Sequence, residues 1–282
     1  AINPRLVFAA LSGFGTEGPL RDRPAYDPVI QAQAGFTAVQ GERTPEPQFV
    51  RNLVCDKITA YTACQAVTAA LYQRERTGRG QHIDLSMMDA GLFFLFPDGF
   101  MHHTLLDEDA EHRPPLADAL YEPMATADGA VTVSAGSPAQ QLGLVKALER
   151  TDLLADERFA TPERLMANLE AFREELRASA ARIETRTLVE RLEANDVPVA
   201  RLIGHEEVLA HPQYEANRSL EVFTHPQLGA MRRILSPARF DGQRLPPGRD
   251  APAHGAHTRE VLAELGHDAD AIDAMIAAGF AR

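Results

Sequence analysis

Ser86-Met87-Met88-Asp89 sets an acid three residues after a serine where a short apolar run gives way to a helical pattern. A carboxylate there can satisfy the first backbone donors of a helix and complement its dipole. The same field holds it ionised, and an ionised carboxylate is a nucleophile at neutral pH. Local residues leave both roles open. Asp84 lies five positions earlier, but strand alternation followed by a helical turn points the two acids in different directions, so Asp84 reads as structural.

The second constellation is Gly13-Phe14-Gly15-Thr16-Glu17-Gly18, which satisfies GxGxxG after an apolar strand-like run. That fingerprint requires a helix whose N-terminus receives a pyrophosphate. Pro19, Pro24 and Pro28 follow at once, and proline at that density forbids the helix. A flexible loop at the carboxyl end of a parallel strand is nevertheless where α/β proteins bind ligands. Arg21 and Arg23 flank it and could contact an anion, whereas Arg74, Arg76 and Arg79 read as charges closing a helix C-terminus.

Other chemistries find little support. The histidines show no HExxH and no i, i+4 pair with a third ligand, so no metal site is expected. No GxSxG elbow occurs, and Cys55 and Cys64 form no paired motif, which favours a reducing compartment. A net charge of -12 without a basic run argues against nucleic acid. Local arginines still matter to a small anion, because screening mutes the global charge beyond roughly 8 Å.

The elements that must position these residues read as follows. Residues 4–11 form a continuous apolar run, the pattern of a strand buried on both faces of a parallel sheet; a Gly- and Pro-rich loop extends to about Pro28. Residues 57–76 predict a helix stopped by Gly78, followed by a strand over 82–85 and a helix from Ser86, whose apolar stretch stops at Pro97. Residues 1–99 thus read as α/β, part of an open parallel-sheet domain. Residues 100–119 are charged and Pro-rich, a connection between domains. A smaller α+β domain is expected over 120–215. It holds a strand at Val131 and Val133, a long helix opened by Thr161-Pro162 and carrying Leu165, Leu169, Phe172 and Leu176, and a helix with Leu188 and Leu192. A return linker with strands occupies 216–255, and helices over 256–282 are expected to pack on the large domain. With 45% hydrophobic residues in 282, the chain can build real cores, and no apolar run reaches the length of about 18 needed to span a membrane. The first residues show no secretory signal, and a soluble cytoplasmic protein is expected.

Three blocks in this order, "NPRLVFAALSGFGTEGPLRDRPAYDPVIQAQAGF", "TAALYQRERTGRGQHIDLSMMDA" and "GAHTREVLAELG", resemble the class III coenzyme A transferases, the CaiB/BaiF family. "LVERLEANDVPVA" agrees in layout. The resemblance implies CoA transfer from an acyl-CoA thioester to a free carboxylic acid, through an aspartyl anhydride and an aspartyl-CoA thioester. It implies Asp89 as the nucleophile, and Gly13, Phe14, Gly15, Arg23 and Tyr26 as residues near CoA and substrate. No permanently bound cofactor is implied, and the expected assembly is an interlocked homodimer. Two features depart from the family pattern. The dinucleotide-type half with which members begin is not seen, so a fragment or subunit requiring that half is an alternative. The α-methylacyl-CoA racemases carry Gly-His-Asp where this chain has Ala25-Tyr26-Asp27, and tyrosine is a poor replacement for a histidine base, which favours transfer over racemisation.

Overall fold

A computed structural model of the chain describes residues 3–41, 44, 46–107, 122–248 and 251–281. The chain falls into two compact units, residues 1–201 and 202–282.

The first unit opens with β1 (Phe8–Ser12), a loop, α1 (Asp27–Gln33) and α2 (Phe36–Gly41). The 24-residue α3 (Val54–Thr77) follows. It contains neither Gly nor Pro and ends on Gly78, whose φ of 72° lets its N–H close onto the Arg74 carbonyl at 2.8 Å. β2 (His82–Ser86) pairs parallel with β1, and α4 (Met87–Gly99) starts directly after it. Ile30, Ala34, Phe36, Cys55 and Leu95 form the apolar core that ties α1, α2, α3 and α4 together.

The same unit has a second core. β3 (Met124–Ala125), β4 (Ala130–Val133) and, after the helices, β5 (Val199–Arg201) form an antiparallel sheet in the order β3-β4-β5. Between β4 and β5 come α5 (Pro138–Ala147), α6 (Pro162–Ala167), α7 (Leu169–Ala180) and α8 (Thr185–Glu193). Leu188 and Leu192, one helical turn apart on α8, are completely buried with Val131, Val145 and Leu176. Each such leucine is worth roughly 1.5–3 kcal/mol of burial.

In the second unit, α9 (His205–Leu209) and α10 (Pro212–Ala216) precede two antiparallel hairpins, β6 (Leu220–His225) with β7 (Gly229–Ile234) and β8 (Arg239–Phe240) with β9 (Gln243–Arg244). It ends in α11 (Thr258–Glu264) and α12 (Ala269–Ala277). No helix among the described residues is long and apolar enough to cross a membrane.

Several expectations change. The strand over 4–11 is shorter and starts later, and it is not buried on both faces: Phe8 is 53% exposed, and Leu6 and Leu11 are also exposed. Two strands with α3 packed along them cover only part of the apolar surface that the run carries. α3 begins at Val54, three residues before the expected start, a shift that matters at the site. α4 runs through Pro97 to Gly99, because a proline near the end of a helix forfeits a single backbone bond. The long helix after Thr161 is broken at Asn168, whose Nδ2 donates to the carbonyls of Arg164 at 2.9 Å and Arg158 at 3.2 Å, drawing the backbone out of helical register. The expected connection over 100–119 begins with a 3-10 turn at Met101–His103, and its residues from 108 onward lie outside the described residues.

Candidate active site

The parallel pairing of β1 with β2 ends at Ser12 opposite Ser86, so the glycine loop and the start of α4 leave the same end of the sheet side by side. One hydrogen bond joins them, from Met88 N–H to the Gly13 carbonyl at 3.0 Å, and a Cβ on Gly15 would lie 3.9 Å from Ser86 Cβ. Within the loop, Gly15 N–H donates to Ser12 Oγ at 3.0 Å. A Cβ on Gly13 would fall 2.3 Å from Ala25 Cβ, so the missing side chain is what allows the loop to fold back on itself. No helix follows the glycines until α1, which begins at Asp27 with Pro28 in its first turn, as the prolines require.

Asp89 sits in the first turn of α4. Its N–H donates to Ser86 Oγ at 3.0 Å, and that hydroxyl donates in turn to Asp89 Oδ2 at 2.5 Å. Ser86 is buried while Asp89 is exposed. The cap expected from the sequence therefore forms, and it occupies one oxygen of the carboxylate. Asp84 is also exposed, beside His82 at 3.5 Å, and is not brought to Asp89 by any hydrogen bond.

A second acid at a helix N-terminus escapes the sequence reading. α3 has no side-chain cap of its own: Leu53 stands at its N-cap position. The cap comes from Asp27, 2% exposed, which accepts from Cys55 N–H at 2.7 Å, Asp56 N–H at 3.1 Å and Gln31 Nε2 at 2.6 Å. Gln31 completes the joint: its Nε2 donates to the carbonyls of Val50 and Asn52, and its Oε1 accepts from Val50 N–H. This network fastens Tyr26-Asp27 to the first turn of α3, where Asp56 is exposed and its carboxylate accepts no hydrogen bond among the described residues. The Cys55 thiol beside it is pushed up to about 12, chiefly by burial and then by the negative charges of Asp27 and Asp56, which rules it out as a thiolate nucleophile.

The remaining expected residues divide. Gly13 and Gly15 lie against the start of α4, and Phe14 packs partly buried onto the core with Ala25. Arg23 and Phe14 line a cavity of about 380 Å³ with Leu20, Pro24, Val29 and Gln33. Tyr26 is exposed at the N-cap of α1; its carbonyl accepts from Val29 and Ile30, and its side chain makes no hydrogen bond among the described residues. No three His, Cys, Asp or Glu gather as metal ligands among the described residues.

Residues 1–258 match the sequence profile described as CoA-transferase family III. The chain belongs to the class III CoA transferases, the CaiB/BaiF family. It is 30% identical over 272 residues to a succinate–glutarate CoA-transferase of Agrobacterium fabrum, covering 94% of this chain and 66% of that one. It is 28% identical over 289 residues to a formyl-CoA:oxalate CoA-transferase of Streptomyces avermitilis, covering 94% and 69%. A crystal structure of a CaiB/BaiF family protein from Brucella suis superposes with a TM-score of 0.74 at 28% identity, over 94% of this chain and 69% of that one. Rv3272 from Mycobacterium tuberculosis gives 0.76 at 27% identity, over 91% and 69%. This class III chain thus spans about two thirds of the length of the relatives it matches. Its combination of a parallel β pair with antiparallel sheets agrees with those folds.

Proposed function

We propose that the chain forms the larger part of a CoA transferase that moves CoA from an acyl-CoA thioester to a free carboxylic acid. The observation that carries this reading is the exposed Asp56 carboxylate in the first turn of α3, whose backbone is fastened to the buried Asp27 at the start of α1, in a member of this family. CoA-transferase names among the relatives support the reaction class.

The chemistry balances without an external cofactor. The carboxylate attacks the thioester carbonyl and the C–S bond breaks, giving an acyl-aspartyl anhydride and CoA thiolate. The thiolate attacks the aspartyl carbonyl and expels the donor acid as its carboxylate, leaving aspartyl-CoA. The acceptor carboxylate attacks that thioester, releasing thiolate and a new anhydride; thiolate then takes the acyl group and frees the aspartate. Each step needs a positioned carboxylate, donors for the developing oxyanion and exclusion of water.

Two carboxylates compete for the role. Asp56 is favoured by geometry: neither of its oxygens accepts a hydrogen bond among the described residues, and it heads the 24-residue α3, whose dipole supports an anion. Asp89 is the nominee of the sequence blocks, and a specific observation supports it too, the hydrogen bond that joins its helix start to Gly13. Its Ser86 hydrogen bond would have to be released or shared during attack. Gly13, Phe14 and Gly15 would then face CoA and substrate, with Arg23 and Tyr26 at the continuation of the loop. Residues 1–99 and 120–215 would act as the large and small domains joined by 100–119, in an interlocked homodimer in the cytoplasm. The two apolar cores of the first unit support that division.

The test uses the full-length protein. After incubation with succinyl-CoA and a hydroxylamine quench, peptide mass spectrometry should find a hydroxamate on the α3 peptide with Asp56, and Asp56→Asn should lower kcat by ~10³-fold or more, as loss of a covalent nucleophile does. A hydroxamate on the α4 peptide, with turnover lost in Asp89→Asn alone, would give the role to Asp89. Turnover surviving in both variants would sink the mechanism.

A further inference from the structure

Gln31 bears on the proposed transfer reaction through Asp56, and its role rests on that reading. The side chain is 2% exposed, and its carboxamide reaches two places at once. On one side Nε2 donates to Asp27 Oδ1 at 2.6 Å, while the other oxygen of that carboxylate accepts from Asp56 N–H at 3.1 Å. On the other side it grips the chain that leads into α3: Nε2 donates to the carbonyls of Asn52 at 3.0 Å and Val50 at 3.1 Å, and Oε1 accepts from Val50 N–H at 3.0 Å. Val50 thus pairs with a carboxamide as it would with a neighbouring strand, although residues 50–52 belong to no strand. Among the described residues, the one other hydrogen bond from residues 48–53 to α1 or α2 is Gln48 N–H to the Thr37 carbonyl, at 3.3 Å. Packing adds little. Val50 rests on the core, but Phe49 and Leu53 are half exposed around a cavity of about 510 Å³ that opens between this segment and α1. Leu53 begins the turn that carries Asp56, its carbonyl accepting from Lys57 N–H at 3.2 Å. A shift of the segment is therefore a shift of Asp56.

We propose that Gln31 is a positioning residue that, by holding Asp27 and residues 50–52 together, aims the Asp56 carboxyl at the acceptor acid rather than at water. The acyl intermediates on Asp56 can be intercepted. When water attacks the aspartyl-CoA carbonyl, the C–S bond breaks and leaves the Asp56 carboxylate, the CoA thiol and a proton. The donor thioester is then hydrolysed with no product from the acceptor. Transfer needs a bound carboxylate in near-attack geometry, and a misplacement of about 1 Å costs on the order of 10²-fold, whereas water is abundant and needs no such placement. Loosening Gln31 therefore slows transfer more than hydrolysis.

The test assays full-length protein with succinyl-CoA and glutarate, following glutaryl-CoA as transfer and release of CoA thiol, less the uncatalysed rate, as hydrolysis. Both rates come from the same folded molecules, so partial unfolding leaves their ratio unchanged. In Gln31→Met, of similar volume but without the hydrogen bonds, the hydrolysis-to-transfer ratio is expected to rise about 10-fold or more. Gln31→Glu keeps the shape and the acceptor for Val50 N–H, so its ratio should lie between wild type and the methionine variant; it carries the test if that variant does not fold. Two rates that fall together at an unchanged ratio would make Gln31 a structural residue only and overturn the proposal. Wild-type rates in both variants would overturn it as well, and either result leaves the transferase reading intact. A hydroxamate on the α4 peptide instead of the α3 peptide would overturn the positioning of Asp56 while transfer stands. Wild-type protein that makes neither glutaryl-CoA nor a hydroxamate would sink the reaction and the proposal with it.

Discussion

The Asp27 carboxylate takes three hydrogen bonds, one from Gln31 and two from the first backbone donors of α3, and it does so while almost wholly buried. Removing it strands those donors without water to replace it, and each stranded buried donor costs on the order of 1–3 kcal/mol. Asp27→Ala should therefore destabilise the protein by about 3 kcal/mol, read as a lower urea midpoint with unchanged slope. Asp27→Asn, which keeps one acceptor oxygen, should fall between wild type and the alanine variant. A midpoint within error of wild type in the alanine variant would show that the network is not formed. Because the same bonds hold the backbone of Asp56, kcat should fall in both variants before the fold is lost, which a purely structural acid elsewhere would not produce. In the sequence Asp27 is legible only as the third letter of Ala25-Tyr26-Asp27, since the α3 donors that it caps are 28 and 29 positions away.

That separation also explains which elements are legible in the sequence. α3 is legible through its composition and its Gly78 stop, both local signals, but its start reads three residues late because its cap is supplied from α1. Asp56 consequently reads as a residue before the helix, although an acid in a first turn is a recognisable signal once the start is known. β2, α4 and the Ser86 cap are legible because the cap is three residues from its target. The break at Asn168 is hidden, since the Leu165, Leu169, Phe172, Leu176 spacing continues through it and only the asparagine side chain diverts the backbone. Asp128 is a similar case. In the sequence Asp128 stands just before β4, yet its carboxylate caps α8 from 57 residues away, accepting from Thr185 Oγ1 at 2.6 Å and Thr185 N–H at 2.7 Å. The Thr185 hydroxyl, followed by its backbone N–H, holds Asp128 below the ordinary aspartate range. A carboxyl with a depressed native value contributes stability above its unfolded value, near ~3.9, and loses it as pH falls through the lower native value. Urea midpoints should thus separate wild type from Asp128→Ala at pH 6 and converge as pH drops below about 4. A gap that stays constant across that range would remove Asp128 from the cap of α8.

Across the molecule, large apolar side chains stand in solvent in numbers that two satisfied cores do not account for. Phe93 is 83% exposed on α4, with Phe94 and Leu92 beside it, Leu106 is 90% exposed, and β1 presents Phe8 and Leu11. Scattered apolar residues are ordinary on a surface, but three on successive positions of one helix next to an incompletely covered strand pair are not. The parallel pairing adds force to this, because parallel strands occur almost only where both faces are covered. The proposed interlocked dimer would cover part of this surface with a second copy. A polypeptide of this sequence alone should bind an apolar dye such as ANS strongly and sediment as a concentration-dependent mixture of oligomers. Phe93→Glu with Phe94→Glu should weaken that association, because charge on the face opposes its burial. Sedimentation as a single monomer without dye binding would show that the exposed face of α4 needs no cover, and the proposed interlocked assembly would lose its physical support.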